Sequence, residues 1–150
     1  MILIDTREQQ NWNFVPYGYT QSVQTLKTGD YTFAGYEDLI CIERKKSVSE
    51  LAINIGSDWV RFHKELVRMH DYKYKYIICE FPVSDINNFP ASSDIPKIKW
   101  ASIRIKPAFI LKRIEEIQDL GIEIFFCHSK SAAEQLVIDL YEEIKAKESR

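Results

Sequence analysis

The spacing of apolar and polar residues along this chain changes period several times, and the changes mark out its elements. Residues 2–4 are an unbroken apolar run ending at Asp5, the pattern of a short buried strand. Residues 7–28 are polar and mixed, with Trp12, Pro16 and Gly18 marking loop or turn. Residues 31–33 and 39–43 read as two strands joined by a turn around Gly35. Ser47, with Glu50 three residues on, forms a capping box that opens a helix to about Ile55, where Gly56 stops it. A second helix, capped by Ser57 or Asp58, runs to about His70. On it Phe62, Leu66 and Met69 share an apolar face, while Arg61, Lys64 and Arg68 share a basic one.

Residues 76–81 form an apolar run interrupted only by Glu80, which suits a central strand covered on both sides. Residues 82–107, with Pro82, Pro90 and Pro96 among several Ser, Asn and Asp, read as a long connection of the functional or mobile kind. Pro107 opens a helix to about residue 120, stopped by Gly121. Residues 122–127 read as another buried strand and 131–146 as a closing helix. No internal repeat, low-complexity tract or interdomain linker interrupts the order. Alternating strands and helices imply an α/β domain across residues 1–150, with a central mixed sheet and helices on both faces.

Composition narrows the picture only in places. The formal net charge of −2 gives no global field toward nucleic acid, so cations for such a partner must gather on one face. Cys41, Cys79 and Cys127 are odd in number and lack CxxC spacing. Each lies in or beside an apolar run, so they read as reduced, buried thiols of a cytoplasmic protein. His63, His70 and His128 show no HxH or HExxH pattern, which argues against zinc. The apolar N-terminus reaches Asp5 too soon for a signal peptide, and no run has the length of a membrane span.

The candidate chemistry lies between residues 28 and 46. Asp30 follows Gly29 in a turn, and Glu43, Arg44 and Lys45 close an apolar strand. Alternation puts Glu43 and Lys45 on the same side. Asp30 and Glu43 can hold a hard cation through oxygen, and Lys45 can orient a water or neutralise a phosphate. An acid, a gap and then acid-x-Lys is the core of a divalent-metal phosphodiesterase. Taken singly, Asp30 also suits an ordinary turn, and Arg7 and Arg44 also suit ion pairs with Glu8 or Asp5. The stripe of Arg61, Lys64 and Arg68 is either a solvated face or a track for a nucleic-acid backbone. Lys97, Lys99, Arg104 and Lys106 flank Trp100, which either stacks on an exposed base or anchors its own loop.

Three segments appear in order: Ile-Asp-Thr-Arg-Glu (4–8), Leu-Lys-Thr-Gly-Asp-Tyr (26–31) and Ile-Glu-Arg-Lys (42–45). With Ser-Val-Ser-Glu-Leu (47–51) and Arg61-Phe62-x-x-Glu65-Leu66, they resemble the nuclease domain of the XPF/Mus81 family, the ERCC4 domain, a branch of the PD-(D/E)XK nucleases. The resemblance implies a restriction-endonuclease-like fold. It also implies a Mg2+- or Mn2+-dependent DNA endonuclease that leaves 5′-phosphate and 3′-hydroxyl ends. The DNA would be branched, flapped or a junction, in replication, recombination or repair. By the same resemblance Asp30 and Glu43 are metal ligands, Asp5 is an acidic partner near the metal, and Lys45 is the catalytic lysine. Arg7 and Arg44 contact the scissile or an adjacent phosphate, and Glu8 holds Arg7 or completes the acidic cluster.

The sequence departs from the family where an aspartate is usual after the lysine: Lys46 intervenes and Glu50 follows, so Glu50 is assigned the cap. No helix-hairpin-helix module or helicase portion is expected in these residues, which fits a free-standing form from a bacterium or phage, acting as a homodimer or with a targeting partner. The other class of reading is a non-catalytic DNA-binding accessory subunit, and RNA is a further possible substrate.

Overall fold

A computed structural model describes all 150 residues. Six strands make one mixed sheet: β1 (Ile2–Asp5), β2 (Gln21–Gln24), β3 (Tyr31–Phe33), β4 (Ile40–Lys45), β5 (Tyr74–Cys79) and β6 (Glu123–Phe126). They stand in the order β2-β1-β3-β4-β5-β6. β3 runs antiparallel to both neighbours and every other pair is parallel. This topology decides where chemistry can gather. The carboxyl ends of β1, β4 and β5 lie at one edge, and reversed β3 brings its first residues to that same edge. Asp5, Asp30 and Lys45 meet there for that reason.

Five helices cover the sheet: α1 (Val48–Ile55), α2 (Trp59–Arg68), α3 (Val83–Asn87), α4 (Pro107–Asp119) and α5 (Lys130–Glu148). On one face α5, Trp12 and Phe14 pack against Ile2, Ile4, Tyr31, Phe33, Ile40, Ile42, Tyr76 and Ile78. On the other, α1, α2 and α4 pack against Cys41, Ile77 and Cys79. Each layer holds 17 buried residues, so neither face of the sheet is left to solvent. Burial on both faces is why the β4 and β5 segments read as near-continuous apolar runs. The apolar face of α2, Phe62 with Leu66, points into the second layer and continues in Met69. Ser47 caps α1 by accepting the Glu50 N–H at 3.2 Å, and Ser129 caps α5 by accepting the Ala132 N–H at 3.0 Å.

Several elements differ from the pattern-based expectation. β4 extends to Lys45, because Arg44 and Lys45 remain in register with Ile78 and Cys79 of β5. β2 (Gln-Ser-Val-Gln) was hidden by its polarity: it is a partly exposed edge strand that pairs only with β1. The connection 82–107 contains α3 and a 3₁₀ turn at Lys97–Ser102, and it sends Ile86 and Phe89 into the core. β6, expected to be buried, forms the opposite edge and is only half-covered. All three cysteines are free and buried, and no helix is long and apolar enough to cross a membrane.

Candidate active site

Alternation along β4 sends Glu43 and Lys45 to the α1/α2 side of the sheet and Arg44 to the α5 side. Glu43, Arg44 and Lys45 are all more than nine-tenths buried. Lys45 Nζ lies 3.6 Å from Glu43 Oε2, 3.8 Å from Glu50 Oε1 and 4.6 Å from the centre of the Phe62 ring. The ammonium is held between two carboxylates and an aromatic face, with little freedom to turn away.

Asp30 is positioned by backbone on both sides. Its N–H donates to the Ile42 carbonyl at 2.8 Å, and its carbonyl accepts from the Asp5 N–H at 2.8 Å. Its Oδ2 accepts the Arg44 N–H at 2.8 Å. Gly29 makes this approach possible. Its φ is +84°, and a Cβ there would stand 2.7 Å from Cys41 Sγ and 3.1 Å from the Ile42 carbonyl oxygen. The turn reading of Asp30 therefore gives way to a residue pinned against β4.

Asp30 and Glu43 line one cavity of about 430 Å³ with no hydrophobic residue on its wall. Oδ1 of Asp30 accepts no hydrogen bond, and Glu43 has only its loose pair with Lys45. Burial pushes the Glu43 carboxyl up, to about 8, with the nearby Asp30 charge adding to the rise and Lys45 opposing it. Burial likewise pushes Asp30 up, to about 6, against the Arg44 N–H that favours its charged form. Two incompletely satisfied carboxylates that resist ionising together are a donor set suited to a hard divalent cation. No three His, Cys, Asp or Glu side chains converge as a metal cluster, so the donor set the chain offers is the Asp30 and Glu43 pair.

Arg7, Glu8, Arg61 and Arg68 also reach this cavity. Lys64 does not line it, nor do Lys99 and Trp100. Trp100 donates its indole N–H to the Ile95 carbonyl at 2.8 Å, which leaves it anchoring its own turn.

Asp5 and Arg44 are held by internal partners, in the ion pairs that the sequence left open as the alternative to metal and phosphate contacts. Asp5, expected near the metal, sits behind the cavity wall and is 1 % exposed. Its Oδ1 accepts the Leu26 N–H at 2.9 Å, and its Oδ2 accepts Arg7 Nε at 2.7 Å and the Arg7 N–H at 3.2 Å. Burial alone would raise this carboxyl, but those donors outweigh it and hold Asp5 below its usual range. Arg44, expected on phosphate, borders the cavity beside Asp30, which accepts its N–H, while its guanidinium is buried on the other face. It donates to Glu80 Oε1 (2.9 Å), Glu8 Oε2 (3.0 Å) and the Gln10 carbonyl (3.1 Å), and it packs 4.8 Å from the Trp12 ring centre. Glu8 holds Arg44 and the Tyr31 hydroxyl rather than Arg7.

Glu50 also departs from its assigned cap. Its N–H makes the capping bond, while its carboxylate reaches Lys45 and the cavity. Asn54 reaches the same cavity, its Oδ1 buried without a partner. Spacing Glu50 and Asn54 at i and i+4 on one helix was the signal available for this pair. Lys27, Thr28, Gly29, Lys46 and Glu65 complete the missed wall residues; Glu65 pairs with Arg61 at 2.6 Å.

Fold and site together define a restriction-endonuclease-like domain with an acid, an acid and a lysine gathered at the carboxyl edge of its sheet. A model of the ERCC4 domain matches residues 4–139, and the chain belongs to that family. No curated protein matches it. Among solved structures it is similar to XPF from Aeropyrum pernix, at TM-score 0.69 and 20% identity over 93% of this chain. It is also similar to the same XPF in complex with DNA, at TM-score 0.68 and 21% identity over 97% of this chain. The chain spans 58% and 64% of those two structures.

Proposed function

We propose that this chain is a DNA endonuclease that depends on Mg2+ or Mn2+ and selects branched, flapped or junction DNA. The observation that carries the reading is a pair of under-satisfied carboxylates, half-buried Asp30 and buried Glu43, sharing a fully polar cavity with Lys45. The family and the DNA complex of the similar XPF support DNA as substrate.

Asp30 and Glu43 would hold the divalent cation, which supplies charge for the phosphate oxygens and acidity for a water when bound. Lys45 places a fixed ammonium beside Glu43, where it orients the attacking water or neutralises charge growing on the phosphate. The water oxygen bonds to phosphorus, the bond to O3′ breaks, and O3′ takes a proton from solvent, leaving 5′-phosphate and 3′-hydroxyl ends. Glu50 keeps Lys45 aimed. Asp5 ties the Arg7 turn and the Leu26 segment to β1, and so positions the segment carrying Asp30.

The test is cleavage of labelled forked, flapped, nicked, duplex and single-stranded DNA with either metal, with Asp30→Ala and Lys45→Ala alongside. Metal-dependent cutting that both substitutions abolish is the expected result, with branched substrates cut fastest. Binding of DNA with no cutting by the unaltered protein under either metal would instead mark it as an accessory subunit.

A further inference from the structure

Most cations on the cavity wall are already engaged. Arg7 is bound to Asp5, Arg44 to Glu8 and Glu80, Lys45 to Glu43 and Glu50, and Arg61 to Asp58 and Glu65. Lys46 donates to the Gln9 carbonyl at 2.7 Å. Lys27 and Arg68 are left: both are exposed and neither makes an ion pair or a side-chain hydrogen bond. They come from different elements, Lys27 from the loop entering β3 and Arg68 from the last turn of α2. Both also line a second cavity of about 240 Å³, together with Thr28. They therefore stand at the passage between the two cavities.

An unpaired cation pair at the exit of a phosphodiester site is free to meet a second phosphate without first breaking an internal bond. Asp38 and Asp71 line the smaller cavity beyond it and repel further phosphate. From this arrangement we infer that Lys27 and Arg68, with the Thr28 hydroxyl, form a subsite for one backbone phosphate of the substrate strand, a neighbour of the scissile one. The strand turns away from the protein after that phosphate. The inference rests on the nuclease reading and adds the strand's path to it.

The test compares the unaltered protein, the double variant Lys27→Ala/Arg68→Ala, and Lys112→Ala, an exposed α4 cation that lines neither cavity. In metal-free binding to a labelled oligonucleotide, the slope of log K against log salt becomes shallower by about 1 in the double variant and is unchanged in Lys112→Ala. In cutting assays, a single neutral methylphosphonate is moved along the strand around the cut. One position lowers kcat/KM of the unaltered protein by roughly tenfold, the size of one charge-assisted hydrogen bond, and lowers the double variant no further. An unchanged salt slope, or losses that multiply at every position, overturns the subsite. If the unaltered protein cuts nothing, the nuclease reading fails, and the salt slope alone decides whether Lys27 and Arg68 bind phosphate.

Discussion

Glu43 and Arg44 are consecutive residues of one strand, both buried, yet their charges are treated in opposite ways. On the α5 side Arg44 is saturated: two glutamates, a backbone carbonyl and an aromatic face leave it nothing to give to a ligand. On the α1/α2 side Glu43 has one loose partner and its neighbour Asp30 has a free oxygen. The saturated side is architecture. The unsaturated side is the candidate site, because only incompletely satisfied charge has free energy left to gain from a ligand.

The largest expected effect breaks the architectural side. Arg44→Ala leaves Glu8 and Glu80 facing each other without their cation and lowers unfolding free energy by about 3–5 kcal/mol, read by chemical denaturation. A variant as stable as the parent would mean the hub is dispensable and the contrast false. Next, Lys45→Ala reduces the rate of cutting by roughly 10²–10³ while leaving the melting temperature within a few degrees; a large stability loss would make Lys45 architectural as well. Third, Asp30→Asn stabilises the metal-free protein at pH 8, by about 1–3 kcal/mol, since it removes one of two charges that oppose each other. The last effect is on pH dependence. Both carboxyls titrate higher in the folded chain than their ordinary values of 3.8 and 4.5, at about 6 and about 8. The folded protein therefore binds more protons than the unfolded chain across that window, and stability falls as pH rises through it. The metal-free melting temperature drops by several degrees from pH 5 to pH 8.5, and saturating Mg2+ flattens the drop.

Much of this site was legible because its residues sit on elements whose period is strong. Glu43 and Lys45 follow four apolar residues, so their common side follows from strand alternation alone. The same alternation put Arg44 on the opposite side, and a pair with Glu8 was one reading of it, but nothing local showed that Gln10 and Glu80, 34 and 36 residues away, converge there too. The partners of Asp5 were hidden for a similar reason: its backbone donor at Leu26 comes from a loop whose path depends on β2, a strand with no apolar signature. Trp100 was left open between two roles, and its indole N–H bond to the Ile95 carbonyl favours the anchoring one. Lys27 was invisible as a wall residue, since its exposure depends on how the loop before β3 meets the end of α2.

Gly29 and Gly35 both hold positive φ, at +84° and +89°, but a Cβ at Gly35 would meet nothing within 4 Å while one at Gly29 would strike β4. In a library with every codon randomised, position 35 should admit Asn and position 29 should return glycine alone. The route by which this domain could lose its acid is therefore wider than the acid itself: a change at a residue with no side chain would displace Asp30 without touching its carboxylate.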